Sequence, residues 1–535
     1  MLNTKINLIP KPVNMTLGEG SFNITEQTQI KSDPKLNNIA KYLKDLIFPA
    51  TGFDLVITDL KADLTKSNTI YLTIKEKLSN LNDEGYFLKI NQDRIVISAL
   101  KPVGIFYGIQ TIRQLLPIEI ENKKKNSGFE LVIPSIEIED YPRFSWRGYM
   151  LDEGRHFFGK EVVKHLLDLM ALFKMNVFHW HLTEDQGWRI EIKKYPFLTE
   201  VGSKRNRSQV GGFLSKKMDL TSHEGYYTQE EIQEVVSYAD TLFIKIVPEI
   251  DMPGHSKAAL AAYPELSCTG GPFEVSTTFG IKKDVYCVGK ESTFEFLNNI
   301  LEEISRLFPS KIIHIGGDEV PKKRWEKCEE CQKIIKNENL KNEEELQIYF
   351  TERINKILIS HSRRLMGWNQ ILSVKSTKDM IGQYWMFGKK KVMKHLMKGG
   401  NIVFSKFGST YLDYSYKRTS LSKAYNYEPV PKKLHKDYQN NVLGIETPLW
   451  TEWVRNVREL DWQTFPRLIA IAESNWTPKE QKNFKSFRTR LEYHLNRLDI
   501  MGVHHAQKEE YQPAFIKRLF GLLTIFKEPK RDSLH

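Results

Sequence analysis

The stretch STFEFLNNILEEISRLFPSKIIHIGGDEV, residues 292–320, contains a complete step from helix to strand. Its first part, 292–308, places apolar residues at the spacing of one helical face; KIIHIGG (311–317) is a short β-branched run closed by two glycines, the mark of a buried strand. The step repeats on both sides. Strand candidates before it are GYMLD (148–152), NVFHWHL (176–182) and FIKIVPEI (243–250). After it come RRLMGW (363–368), MIGQYW (380–385), NIVFSKF (401–407) and NVLGIETPLW (441–450). Helical patterns lie between many of them, as where Val162, Val163, Leu166, Leu167, Met170 and Phe173 share one apolar face. Eight strands with helical crossovers in about 300 residues are the arithmetic of a (β/α)8 TIM barrel, with an open doubly wound parallel sheet as the competing arrangement. A glycine-rich phosphate loop would favour the open sheet. The sequence has neither a GxGxxG nor a Walker pattern, so an α/β chain with a closed barrel over 143–482 is expected.

Upstream, residues 1–142 read as a smaller α+β domain. FDLVITD (53–59), TIYLTIK (69–75), GYFLKI (85–90) and RIVISAL (94–100) have strand patterns, and VGIFYGIQTIRQLL (103–116) puts Ile105, Ile109, Ile112 and Leu116 on one helical stripe. The polar stretch ENKKKNSG (121–128) reads as a connection, and the texture changes after Asp140-Tyr141-Pro142-Arg143. Downstream, 483–535 is expected to be a helical tail packed on the barrel through Phe487, Leu491, Leu495 and Leu498.

Composition excludes several classes of function. Hydrophobic residues make up 41% of the 535, with 29 Phe, 22 Tyr and 10 Trp, enough to build sizeable cores and too much for a disordered chain. A net charge of +12 would fit a polyanion only if the cations formed a stripe. The densest runs, Lys123-Lys124-Lys125 and Lys389-Lys390-Lys391, lie far apart among interspersed acids, so no nucleic-acid partner is expected. No apolar run of about 18 residues occurs and the first residues carry no apolar signal core, so no membrane association is expected. The location expected is cytoplasmic, or extracellular or periplasmic if the chain is truncated. Four cysteines cannot make a disulfide scaffold. Cys328-x-x-Cys331 lacks a second CxxC, and Cys268 and Cys287 are too widely spaced for a common zinc knuckle, so ordinary thiols, no metal and no cofactor are expected.

A barrel presents its active site at the carboxyl ends of its strands, and the residues there form a consistent set. Arg155 follows the first strand; His181, Glu184 and Asp185 the second; Asp251 and His255 the third; Asp318 and Glu319 the fourth. Trp368, Trp385, Tyr411 with Asp413, and Trp450 with Glu452 close the later ones. Such a rim suits a sugar, because pyranose faces stack on indoles while hydroxyls bond carboxylates and guanidinium groups. In a regular strand Asp318 and Glu319 would point to opposite faces, but Gly316-Gly317 lets the backbone bend so that both reach one pocket. Adjacent carboxylates push each other's titration apart, leaving one protonated as a general acid and the other ionised. An N-cap Asp with a surface Glu at the next helix is the plainer alternative.

These stretches resemble the β-N-acetylhexosaminidases of glycoside hydrolase family 20. The resemblance is carried, in the family's order, by PRFSWRGYMLDEGRHFF (142–158), NVFHWHLTEDQGWRIEI (176–192), VPEIDMPGH (247–255), HIGGDEV (314–320), GW (367–368), QYW (383–385), TYLD (410–413) and PLWTE (448–452). It implies that Glu319 is the acid/base on the glycosidic oxygen, while Asp318 orients and stabilises a 2-acetamido group whose carbonyl oxygen attacks C1 to give an oxazolinium intermediate. Tyr411 resembles the tyrosine bonded to that carbonyl, and Trp368, Trp385 and Trp450 the walls of the acetamide pocket. Arg155, Asp413 and Glu452 match residues gripping the outer hydroxyls of a terminal sugar. The implied activity is exo-acting and retaining, on β-linked N-acetylhexosaminide oligosaccharides or glycoconjugates, with GlcNAc against GalNAc and the oligomeric state left open.

Two departures stand out. Glu184-Asp185 replaces the family's common Asp-Asp, so the carboxylate expected to support His255 is one methylene longer, and residues 414–440 hold tyrosines but no tryptophan where the family often has one. Two rival readings use the same residues. His179-x-His181 with His255, His314 and Asp318 could make a metal-dependent amidohydrolase, against which the rim tryptophans have no role and His179 and His314 read more simply as satisfied core histidines. A non-catalytic lectin-like barrel would use the aromatic rim, but the intact Asp318-Glu319 pair speaks against it.

Overall fold

The computed structural model describes residues 6–60, 64–78, 81–126, 128–373 and 376–513. The part of the expected helical tail beyond 513 lies outside the described residues. Residues 14–140 form a seven-stranded mixed sheet built from β1 (Asn14–Ile24), β2 (Gln29–Ser32), β3 (Val56–Asp59), β4 (Thr69–Ile74), β5 (Tyr86–Ile90), β6 (Arg94–Ala99) and β7 (Leu131–Asp140). Its order is β1-β7-β5-β6-β4-β2-β3. Helices α1 (Asn37–Thr51) and α2 (Pro102–Leu115) pack against it. The proline of α2 stands at its first turn, where a missing N–H costs nothing, and Ile105, Ile109 and Ile112 are fully buried.

The second unit is a closed barrel of eight parallel strands: β8 (Trp146–Asp152), β9 (Val177–His181), β10 (Lys245–Glu249), β11 (Ile312–His314), β12 (Arg364–Trp368), β13 (Ile381–Tyr384), β14 (Asn401–Phe404) and β15 (Val442–Leu449). All eight coincide with the strands expected from the sequence, and the doubly wound sheet is excluded by closure of β15 on β8. Helices α3 (Lys160–Leu172), α4 (Gln229–Thr241), α5 (Glu291–Leu307), α6 (Glu329–Asn337), α7 (Glu343–Ser360) and α8 (Arg467–Trp476) belong to this unit, and α3 buries Val163, Leu166, Leu167 and Met170 completely. Among the described residues no helix is long and apolar enough to cross a membrane.

One hydrophobic core runs through both units. The seam is polar where strand ends meet it: Lys174 Nζ pairs with Asp140 at 3.0 Å, Trp476 Nε1 donates to Asp140, and Arg147 forks onto Glu84. Helix α9 (Phe484–Ile500) lies on both units rather than on the barrel alone. Its Arg490 pairs with Glu473 of α8, while Arg497 reaches Glu121 at 2.6 Å, a carboxylate also held by Arg113. Burial opposes the charge of Glu121, but the two guanidinium groups outweigh it and hold the carboxyl down at about 2.

The cysteines depart from expectation. Cys268, Cys287, Cys328 and Cys331 converge on one spot, because the segments that follow β10 and β11 fold against each other. Spacing along the chain could not reveal this, since the two halves of the cluster come from different βα loops.

Candidate active site at the carboxyl ends of the strands

The site begins with the backbone of HIGGDE. Gly316 (φ 64°), Gly317 (φ 92°) and Glu319 (φ 50°) are all left-handed, so the chain turns sharply after β11. A side chain at Gly316 would collide with the Asp251 carboxylate, and one at Gly317 with Ile371. The helix-cap alternative for Asp318 and Glu319 is not what is seen, for no helix begins until Lys323. A left-handed glutamate is strained, and His255 facing it shares the same conformation (φ 50°), as is common where function over-determines a backbone.

From Glu319 a chain of charges leads inward. His255 Nε2 lies 3.8 Å from Glu319 Oε2, and its Nδ1 lies 2.7 Å from Glu184 Oε1. The other Glu184 oxygen meets Arg155 Nη2 at 3.0 Å and His181 Nε2 at 3.3 Å. One Glu184 carboxylate thus serves both His255 and Arg155. Burial works against its charge, yet Arg155 and His255 outweigh it and hold the carboxyl well below the usual range. Burial likewise disfavours the His255 imidazolium, but Glu184 more than offsets it, and the ring is held protonated.

Asp318 is the other carboxyl of the adjacent pair. Burial pushes its carboxyl up to about 7; His255 opposes the shift, while Glu319 and Glu249 add to it. The physical reason is enclosure: Asp318 points inward among acids, whereas the Glu319 side chain is 35% exposed. One Asp318 oxygen is buried with no partner among the described residues, so it faces a position a ligand donor would fill. Asp251, given no role from sequence, stands behind it and accepts from Gly317 N–H at 3.3 Å. Burial raises its carboxyl well above the usual range, with His255 opposing and Asp318 adding. Its position at a strand end, in PEIDMPGH, was the available signal.

Trp368, Trp385 and Tyr411, with Met150, form an apolar cluster separate from the main core, and Trp450 packs onto it. Trp368 and Trp450 have ring centroids 5.7 Å apart, and Trp385 stacks on Tyr411 at 6.4 Å. Their polar ends are tied down, Trp368 Nε1 to Glu249 and Trp385 Nε1 to Gln370. The Tyr411 phenol is raised well above its ordinary value by burial and then by Asp318 and Asp413, so it remains a neutral donor. Arg155 lies over Trp450 at 4.9 Å. Burial raises Glu452 to about 7 against the pull of Arg155, and raises Asp413 well above the usual range with Glu452 adding. One Asp413 oxygen is also buried without a partner among the described residues. Glu319, His255, Glu184 and Arg155 are thus linked in turn, and Arg155 meets Trp450 beside the aromatic cluster.

Two histidines of the metal-hydrolase reading, His179 and His181, lie inside the barrel and face carboxylates. Both nitrogens of His179 face carboxylates, Glu446 at 2.8 Å and Glu249 at 3.0 Å, and these raise the ring to about 9 against the effect of burial. His181 is likewise held between Glu249 and Glu184. His179 and His181 are thus paired with buried carboxylates inside the barrel.

The chain matches the models of "Glycosyl hydrolase family 20, domain 2" over residues 5–141 and "Glycosyl hydrolase family 20, catalytic domain" over 144–479. It is 40% identical over 512 residues to a β-hexosaminidase of Porphyromonas gingivalis, covering 94% of this chain and 64% of that protein. A β-hexosaminidase of Vibrio furnissii is 33% identical, covering 89% of this chain and 77% of the relative. Among solved structures, the β-N-acetylhexosaminidase of Streptomyces coelicolor superposes with a TM-score of 0.82 at 30% identity, covering 94% of this chain and 98% of the other. The exo β-N-acetylglucosaminidase of Vibrio harveyi in complex with N-acetylglucosamine also gives 0.82, at 31% identity, over 94% of this chain and 78% of that one. With the two family models matched over 5–141 and 144–479, and a relative 40% identical across 94% of the chain, the chain belongs to glycosyl hydrolase family 20.

Proposed function

We propose that this protein is an exo-acting, retaining β-N-acetylhexosaminidase that hydrolyses terminal N-acetyl-β-D-hexosamine residues by substrate-assisted catalysis. The observation that carries this reading is the pairing of an enclosed Asp318, one oxygen unpartnered, with a more open Glu319 beside an aromatic cluster that includes a neutral Tyr411. An acetamide fits that cluster: its methyl meets indole faces, its N–H meets the free Asp318 oxygen, and its carbonyl oxygen accepts from Tyr411. Held so, the carbonyl oxygen attacks C1 while Glu319 protonates the departing glycosidic oxygen; Asp318 then balances the positive charge of the oxazolinium ring. Water activated by Glu319 opens the ring and restores the β configuration. Asp413, Glu452 and Arg155 bind the outer hydroxyls and close the pocket behind one sugar.

A panel of β-linked N-acetylglucosaminyl, N-acetylgalactosaminyl and plain glucosyl substrates, with products resolved, tests the proposal. Single terminal N-acetylhexosamines should be released with retained configuration, and the plain glucoside should be turned over extremely slowly. Comparable rates on the glucoside, or release of internal fragments, would overturn it.

The link through Glu184 is testable separately. Glu184→Ala removes the carboxylate that keeps His255 protonated, so His255 should lose its proton at lower pH and the alkaline limb of kcat/KM should move down. The rate should fall by about 10–100-fold, the size of a lost hydrogen bond between charged groups. Glu184→Asp should give a much smaller change. An unaltered pH profile in the alanine variant would show that the carboxylate has no bearing on Glu319.

A further inference from the structure

We propose that Cys268, Cys287, Cys328 and Cys331 form a tetrahedral zinc site that ties the loop carrying Asp318 and Glu319 to the loop carrying His255. The Cys287 sulfur lies 3.7 Å from those of both Cys328 and Cys331, and the Cys268 sulfur 3.9 Å from that of Cys331. All four sulfurs fall within 4.8 Å of one another. Four thiolates bound to one zinc at about 2.3 Å stand about 3.8 Å apart, which the three distances of 3.7–3.9 Å match. A disulfide needs about 2.05 Å. Cys287, equidistant from two partners, favours no pairing.

The local structure supports a built site. Cys328 caps α6 and Cys331 lies in its first turn, so the Cys-x-x-Cys unit is presented by a helix start. Cys287 N–H donates to Leu266 O at 2.8 Å, which brings Cys287 back beside Cys268. Gly289 lets the chain pass against Glu330 and Cys331, where any side chain would collide with their backbone. Trp325 Nε1 donates to Tyr286 O at 3.0 Å, joining the loops next to the sulfurs. Cys287, Cys328 and Cys331 are buried and Cys268 is half-buried, which encloses the site and leaves a path for the ion. One loop follows His255, the other Asp318 and Glu319, so the ion would fix their relative placement. Binding releases a proton from each thiol that is not already ionised, and no oxidant is involved.

The test uses the full chain purified under reducing conditions without chelator. Elemental analysis should find about one zinc per chain, and the cobalt(II)-exchanged protein should show sulfur-to-cobalt charge-transfer bands with strong tetrahedral d–d absorption. Cys328→Ser with Cys331→Ser should lose the zinc and lower Tm; should that variant not fold, the cobalt spectrum of the unaltered chain decides. A chain that takes up no zinc when supplied with it, that gives a cobalt spectrum without thiolate bands, that carries iron instead, or whose intact mass shows disulfides, would overturn the assignment.

Discussion

Glu319→Gln is expected to keep the fold and to lose about 10²–10⁴ in kcat on substrates with natural sugar leaving groups, the range for removing a positioned general acid. The fold should survive because the side chain is 35% exposed and His255, its ion-pair partner, stands 3.8 Å away. Glutamine keeps the shape and gives up the transferable proton. Aryl glycosides with activated leaving groups depart with little protonation, so their glycosylation step should slow far less. Steady-state and single-turnover rates on a disaccharide and on a nitrophenyl glycoside separate the cases. An equal loss on both in the glycosylation step would remove the acid role from Glu319 and shift attention to Asp318, the other carboxyl of the pair.

The barrel was legible because each of its strands is a short apolar run ending in chemistry-bearing residues, as in NVFHWHL and KIIHIGG. The first domain was less so. Strand β1 is exposed along most of its length, so Asn14–Ile24 has no hydrophobic alternation to read. Strand β2 spans only four residues, and α1 begins without a side-chain cap. At the site, motif and strand-end position identified the residues, but their ionisation depended on enclosure. That Asp318 is raised, and that Asp251 stands behind it, follows from three loops converging at the turn of Gly316 and Gly317. Likewise Glu184 was legible as a departure from a pattern, whereas its dual contact with His255 and Arg155 needed the distances.

Asp318→Asn tests the mechanism itself, and its expected effect is a loss of about 10²–10³ in kcat, comparable to removal of one electrostatic stabiliser of a transition state. A neutral amide can still meet the acetamide but cannot balance the positive charge of an oxazolinium ring. The pH dependence gives an independent reading. With its carboxyl raised to about 7, Asp318 is neutral below that pH and ionised above it, so kcat/KM of the unaltered enzyme should fall as pH drops through an apparent value near 7. The Asp251 carboxyl is raised as well, in part by Asp318, so the apparent value belongs to the two together. In Asp318→Asn this acid limb should disappear while the rate stays low throughout. A stable thiazoline shaped like the bicyclic intermediate should bind the unaltered enzyme far more tightly than the free sugar does, because the Trp walls, Tyr411 and Asp318 meet the shape of the intermediate, and the substitution should weaken it. The alternative is that Asp318 attacks C1 directly, as the carboxylate of an ordinary retaining glycosidase does. That would leave a sugar ester on Asp318, trappable with a slow fluorosugar, and such an ester, or an inert thiazoline, would overturn the substrate-assisted route.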